Sequence, residues 1–151
     1  MAFSRIIIFA GIILMLGGCA ATSPDKGLGQ AAPTANEYVV NEAEDVIAKL
    51  GIVQNSEQLD AFISGFSDQV RVVHYTKEAD PIFYSLSRIE EQIEVRYDTS
   101  QDKYGSPTVK TYRCESLMKE QAKQTFTYKL SGCGGAQKSI SLIDVPLSPS
   151  T

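Results

Sequence analysis

The sequence predicts an α+β domain, an antiparallel sheet of about five or six strands with one or two helices packed on one face. Apolar residues fall at helical spacing as far as Phe66, and from Val70 onward the period drops to two. The stretches between the alternating segments are short and rich in Gly, Pro, Asp and Ser, which favours antiparallel neighbours over crossovers.

Taken in order, Val39, Ala43, Val46, Ile47 and Leu50 fall on one helical face, with Gly51 as a C-terminal stop. NSEQLDAFISGF, residues 55–66, predicts a second helix. Asn55 is placed to cap it, Gln58 stands where a capping box wants it, and Leu59, Phe62, Ile63 and Phe66 form its apolar stripe. Strands follow. Residues 70–76 are β-branched and aromatic, and Ile82, Tyr84 and Leu86 alternate with Phe83 and Ser85. In QIEVRYD, Ile93, Val95 and Tyr97 share one face, and Gln92, Glu94 and Arg96 the other. Residues 108–118, 125–130 and 139–145 complete the set, with turn chemistry at Ala79-Asp80-Pro81, over residues 100–105 and over residues 131–135.

The N-terminus has a different character. Residues 6–16 are an unbroken apolar run behind Arg5. As a helix this run reaches only about 16 Å, against a hydrocarbon core of roughly 30 Å. A positive start, a short apolar centre and a small-residue exit are the parts of a secretory signal. The exit, Leu16-Gly17-Gly18-Cys19, resembles the lipobox of bacterial lipoproteins. That resemblance implies that the chain is cut before Cys19 and that the Cys19 thiol carries diacylglycerol, so that acyl chains tether the protein at the membrane. With Ala20 after the cysteine, a Gram-negative host would send it to the outer membrane. The expected organisation is a signal peptide over residues 1–18, a lipidated cysteine and flexible tether over 19–36, one α+β domain over 37–145 and a disordered tail over 146–151. The expected location is the extracytoplasmic face of the cell membrane.

A formal net charge of −4, with no run of Lys or Arg, argues against nucleic acid as a partner and offers anionic lipid no footing. The expected partners are the membrane, through the anchor, and an envelope protein or small ligand. No cofactor is expected.

Cys114 and Cys133 suit one hairpin register, which also sets Leu117 opposite Leu130 and brings Lys119 near Tyr128. The thiols then meet across, or just past, a strand pair. An exported compartment permits a disulfide, worth roughly 3 kcal/mol in the chain-entropy model. A metal site would need further soft ligands, and there is no CxxC.

VRVVHYTKEADPIFYSL, IEVRYDTSQDKYGSPTVKTYRC and YKLSGCGG resemble successive blocks of a family of bacilli lipoproteins catalogued as domain of unknown function 4362. The resemblance runs from about residue 44 to residue 145, and its most specific parts are the DPI turn, the YDxSxDKYG loop and the two cysteines in order. The sequence departs from the pattern at Ser87-Arg88-Ile89-Glu90, where an aspartate–glycine hairpin turn is expected. The resemblance implies a Firmicute surface lipoprotein and brings no activity, cofactor or catalytic residue.

Candidate chemistry is sparse. His74 is the single histidine and alternates with Val70 and Val72, the position of a partly buried packing residue, with no carboxylate at local spacing. Glu90, Glu91 and Glu94 fit a solvated turn. Gly132, Gly134 and Gly135 lack the strand–loop–helix context of a phosphate cradle. Asp98, Ser100 and Asp102 hold oxygens at the first, third and fifth positions of a calcium loop, but Lys103 stands where glycine is wanted and Val109 where glutamate is. Asx-type turns are the simpler reading.

Two function classes remain. One is a tethered, non-catalytic binding module, for which some of Tyr75, Tyr84, Tyr97, Tyr104, Tyr112 and Tyr128 would supply the contacts. The other is a hydrolase of wall or surface material, working through carboxylates such as Asp80, Asp98, Asp102, Glu91 or Glu94, although no nucleophile–base set is visible. Converging carboxylates in a pocket would favour the enzyme. An uncovered sheet edge or apolar patch would favour the binding module.

Overall fold

The computed structural model of the protein describes residues 35–147. The signal segment, the lipidation position Cys19, nearly all of the tether and the last four residues lie outside the described residues.

The fold is mostly β, which corrects the expectation of an α+β domain. The described residues form a 3-10 turn (Ala35–Tyr38), one short helix α1 (Glu57–Ile63) and nine strands: β1 (Val46–Lys49), β2 (Ile52–Gln54), β3 (Gln69–Tyr75), β4 (Pro81–Ile89), β5 (Gln92–Asp98), β6 (Val109–Cys114), β7 (Ser116–Gln121), β8 (Thr125–Ser131) and β9 (Ser139–Pro146). Six strands make one sheet in the order β2-β1-β3-β4-β5-β6, and three make a second in the order β7-β8-β9. Every pairing is antiparallel except β1 with β3.

The expected first helix is the β1–β2 hairpin. Val46 and Ile47 are neighbours and both buried, as strand residues with cover on both faces must be. A short apolar run has no period that separates a buried strand from a helix, and pairing with β3 decides the matter here. Leu50 and Gly51 both take positive φ, 51° and 80°, as a two-residue hairpin turn of the primed type requires. Gly51 therefore turns a hairpin and does not stop a helix.

The second helix forms but does not cover the sheet. Its N-cap is Ser56, which makes no side-chain cap bond. Asn55 takes a left-handed φ of 57°, and its side-chain amide donates to the carbonyls of Glu42 and Asp45. Only Leu59 and Phe62 of the expected stripe are buried, while Phe66 is 89% exposed. The helix packs where β3 begins and β4 ends. There Arg88 donates to the Phe62 carbonyl at 2.6 Å and stacks over its ring.

The expected long strand over residues 108–118 breaks at Glu115. Before it, β6 pairs with β5; after it, β7 pairs with β8, so one run of chain passes from the first sheet to the second. At the far edge β9 approaches β2. The core lies between the sheets, with Val46, Val72, Leu86 and Val95 on one side and Leu117, Tyr128, Leu130 and Leu142 on the other. The β7–β8 register pairs Leu117 with Leu130 and Lys119 with Tyr128, as the cysteine spacing predicts. Cys114 and Cys133 are bonded just past that ladder, at the corner where the chain changes sheet.

Candidate functional site: a tyrosine-lined cleft

The β4–β5 hairpin turns at Glu90 and Glu91, and its register sets Tyr84 directly opposite Tyr97. Between β5 and β6, Val95 is paired with Tyr112, so Tyr112 lies diagonally across from Tyr97 on the same face. That face is the inner one, shared with the core residues Val72, Leu86 and Val95. Tyr84 and Tyr97 have their ring centroids 4.8 Å apart. The three phenols, with Gln137 and Ile140 from the second sheet and the loop leading to it, line a cleft of about 220 Å³.

The cleft is neutral. No charged side chain lines it. Burial, and next the Tyr97 and Tyr112 phenols beside it, push the Tyr84 hydroxyl up to about 12, so it stays protonated at any physiological pH. His74 flanks Tyr84, edge to face, with centroids 5.6 Å apart. Its Nε2 is buried without a hydrogen-bond partner. Burial lowers the imidazole pKa, partly offset by a bond to the Leu142 backbone. His74 is thus the half-buried packing residue its alternation implied.

Two larger grooves lie elsewhere on the surface. One of about 810 Å³ is lined by residues including Arg71 and Asp45. Arg71 grips Asp45 with two bonds, of 2.8 and 2.6 Å, and donates also to the carbonyls of Glu37 and Val39. Arg96 pairs with Glu37 and lies 2.7 Å from Asp98 Oδ2. These groups fasten the 3-10 turn and the segment after it onto the sheet. A third hollow, of about 280 Å³, lies beside the β1–β2 hairpin.

The carboxylates named from the sequence do not make an acid–base pair. Asp98 is fully buried, and its Oδ1 accepts the Ser100 amide at 2.7 Å. Asp102 Oδ1 accepts the Tyr104 and Gly105 amides, and a Cβ on Gly105 would fall 2.2 Å from Asp102 Oδ2. Asp98 and Asp102 make Asx-type turns, with the Ser100 amide as the donor to Asp98, and among the described residues no group of three or more His, Cys, Asp or Glu side chains is placed to hold a metal ion. Asp80 is buried and accepts the Lys103 amide. Glu91 is exposed, and Glu94 lies 3.4 Å from Arg113 on the outer face. Gly132 and Gly134 flank the bonded Cys133.

Of the candidate tyrosines, the fold gathers Tyr84, Tyr97 and Tyr112 and scatters the rest. Tyr75 lies under Lys49, Tyr104 is 79% exposed on its loop, and Tyr128 is in the core with its hydroxyl donating to Asp60 at 2.8 Å. Sequence reasoning missed Gln137 and Ile140, which carry no motif. The Tyr84–Tyr97 pair had a signal, because a two-residue turn at Glu90-Glu91 imposes it.

No curated protein and no solved structure matches the chain. A family model does match, over residues 43–129, which include the DPI turn, the YDxSxDKYG loop, Cys114 and the three cleft tyrosines, and stop short of Cys133. That match covers more than half of the chain, and the protein therefore belongs to the family described as Domain of unknown function (DUF4362).

Proposed function

We propose that this protein is a lipid-anchored, extracytoplasmic binding domain that holds its ligand in the tyrosine cleft without transforming it. The observation that carries this reading is the convergence of Tyr84, Tyr97 and Tyr112 on one neutral cleft. Tyrosine offers an apolar face and a polar tip, and costs little conformational entropy to hold in place, which suits recognition. The lipobox-like exit before Cys19 supports the anchor, and the Cys114–Cys133 disulfide fits an oxidising compartment. Of the carboxylates a hydrolase could use, Asp80, Asp98 and Asp102 are committed to backbone amides.

The test is a panel assay of the purified full-length chain against wall polymers, peptides and esters. The protein has no tryptophan, so its intrinsic emission comes from its seven tyrosines. The expected outcome is saturable binding that disappears in Tyr97→Ala or Tyr112→Ala, with the ligand recovered unchanged. Turnover abolished by Asp80→Asn or Asp98→Asn, with folding intact, would replace this reading with the hydrolase.

A further inference from the structure

We infer that the cleft takes one neutral, hydroxyl-bearing ring, a sugar residue of a glycan chain. This rests on the binding reading above and names the ligand class for the same site.

Size sets the first limit. Pockets for drug-sized ligands run to about 300–1,000 Å³. At about 220 Å³ this cleft has room for a single ring or a single side chain and little more. It is open to solvent on the side of Gln137, which is exposed, so a ring seated there can remain part of a longer chain.

Chemistry sets the second. Three phenols, one carboxamide and one aliphatic side chain line the cleft. With no charged lining residue, an ion entering it would give up water without gaining a counter-charge, which is costly. Lys110 stands opposite Tyr97 in the strand register but does not line the cleft. A wholly apolar ligand meets the opposite difficulty, since it would bury phenol and amide groups against a surface with nothing to bond to them. A pyranose answers both demands. Its C–H face lies on an aromatic ring, and its hydroxyls both donate and accept at the rim, where phenols and the Gln137 amide do the same.

The alternatives of similar size are a neutral aromatic side chain of a peptide and an anionic wall polymer. The first satisfies the rings but not the hydroxyls, and the second requires a cation that the lining lacks.

The experiment uses the full-length chain in a detergent without a sugar headgroup. Its tyrosine emission is followed while it is titrated with neutral oligosaccharides (β-linked N-acetylhexosamine and α- and β-linked glucose oligomers), a polyol-phosphate polymer, and neutral peptides containing Phe or Tyr. At least one neutral oligosaccharide is expected to bind saturably. Tyr112→Ala should weaken it by about tenfold or more, the scale of a central aromatic contact. Tyr112→Phe, which keeps the ring, should fall between Tyr112→Ala and the parent protein, and Tyr104→Ala, at an exposed tyrosine that does not line the cleft, should leave affinity unchanged. Retention of the Cys114–Cys133 bond and of the far-ultraviolet dichroism shows that each variant is folded. Binding of a peptide or of the anionic polymer, lost in Tyr112→Ala, with no sugar bound, would overturn the ligand class and leave the binding reading standing. Sugar binding indifferent to both Tyr112→Ala and Tyr97→Ala, or no binding by any probe, would overturn the inference and with it the assignment of this cleft.

Discussion

Asp80 and Lys103 are joined twice: the Lys103 amide donates to Asp80 Oδ2 at 3.0 Å, and the Lys103 ammonium lies 3.4 Å from Oδ1. Asp80 belongs to the DPI turn and Lys103 to the YDxSxDKYG loop, so these two stretches of the family-matched region meet in space. The two parts of the contact differ in weight. Asp80 is buried, whereas the Lys103 side chain is 81% exposed.

Asp80→Ala is therefore expected to destabilise the fold by about 1–3 kcal/mol, because it leaves a backbone amide of the loop without its acceptor. Lys103→Ala keeps that amide and removes only an exposed ion pair, so its cost should stay within about 1 kcal/mol. Urea unfolding of both variants checks the ranking, and equal losses would contradict it.

The Cys114–Cys133 bond holds the corner where the chain changes sheet. Both cysteines are buried. Thiol labelling of the denatured, unreduced protein should find neither of them free. Replacing both with alanine should lower stability by about 2–5 kcal/mol, the usual range for a native disulfide of a small secreted domain. Quantitative labelling of both in native preparations would refute the bond.

His74 makes stability depend on pH. Its pKa is lowered in the folded protein from the ordinary 6.5, chiefly by burial, so the unfolded chain takes up the proton first as pH falls. The full contribution is present above about pH 6.5 and is lost as pH drops from there through the folded pKa. Between pH 7.5 and pH 5, the gap in urea midpoint between the parent and His74→Gln should shift against the parent. As the single histidine, it can be titrated by proton NMR without an assignment problem. A midpoint at or above the ordinary imidazole value would contradict the direction.

Cys19→Ala should leave an unprocessed precursor that takes up no labelled fatty acid, whereas the parent chain is labelled and cut. A parent chain that takes up no label would remove the anchor from the proposed function.

What was legible in the sequence was local. Alternation marked most of the strands after α1 because successive side chains of a strand point to opposite faces. The cysteine spacing carried the β7–β8 register, since a hairpin pairs residues whose numbers have a constant sum. The Asx turns of the Asp98 loop followed from side chains that reach their own neighbouring amides. Tertiary structure decided the rest. Val46 and Ile47 became a strand because β3 offered them a partner with cover on both faces, and no period within so short a run encodes that. Residues 108–118 read as one strand, yet Glu115 divides them between two sheets, which depends on where β5 and β8 lie. The cleft is of the same kind. Its tyrosines come from three strands, and Gln137 and Ile140 from beyond them, so it exists only once long-range pairing has placed all five side chains around one space.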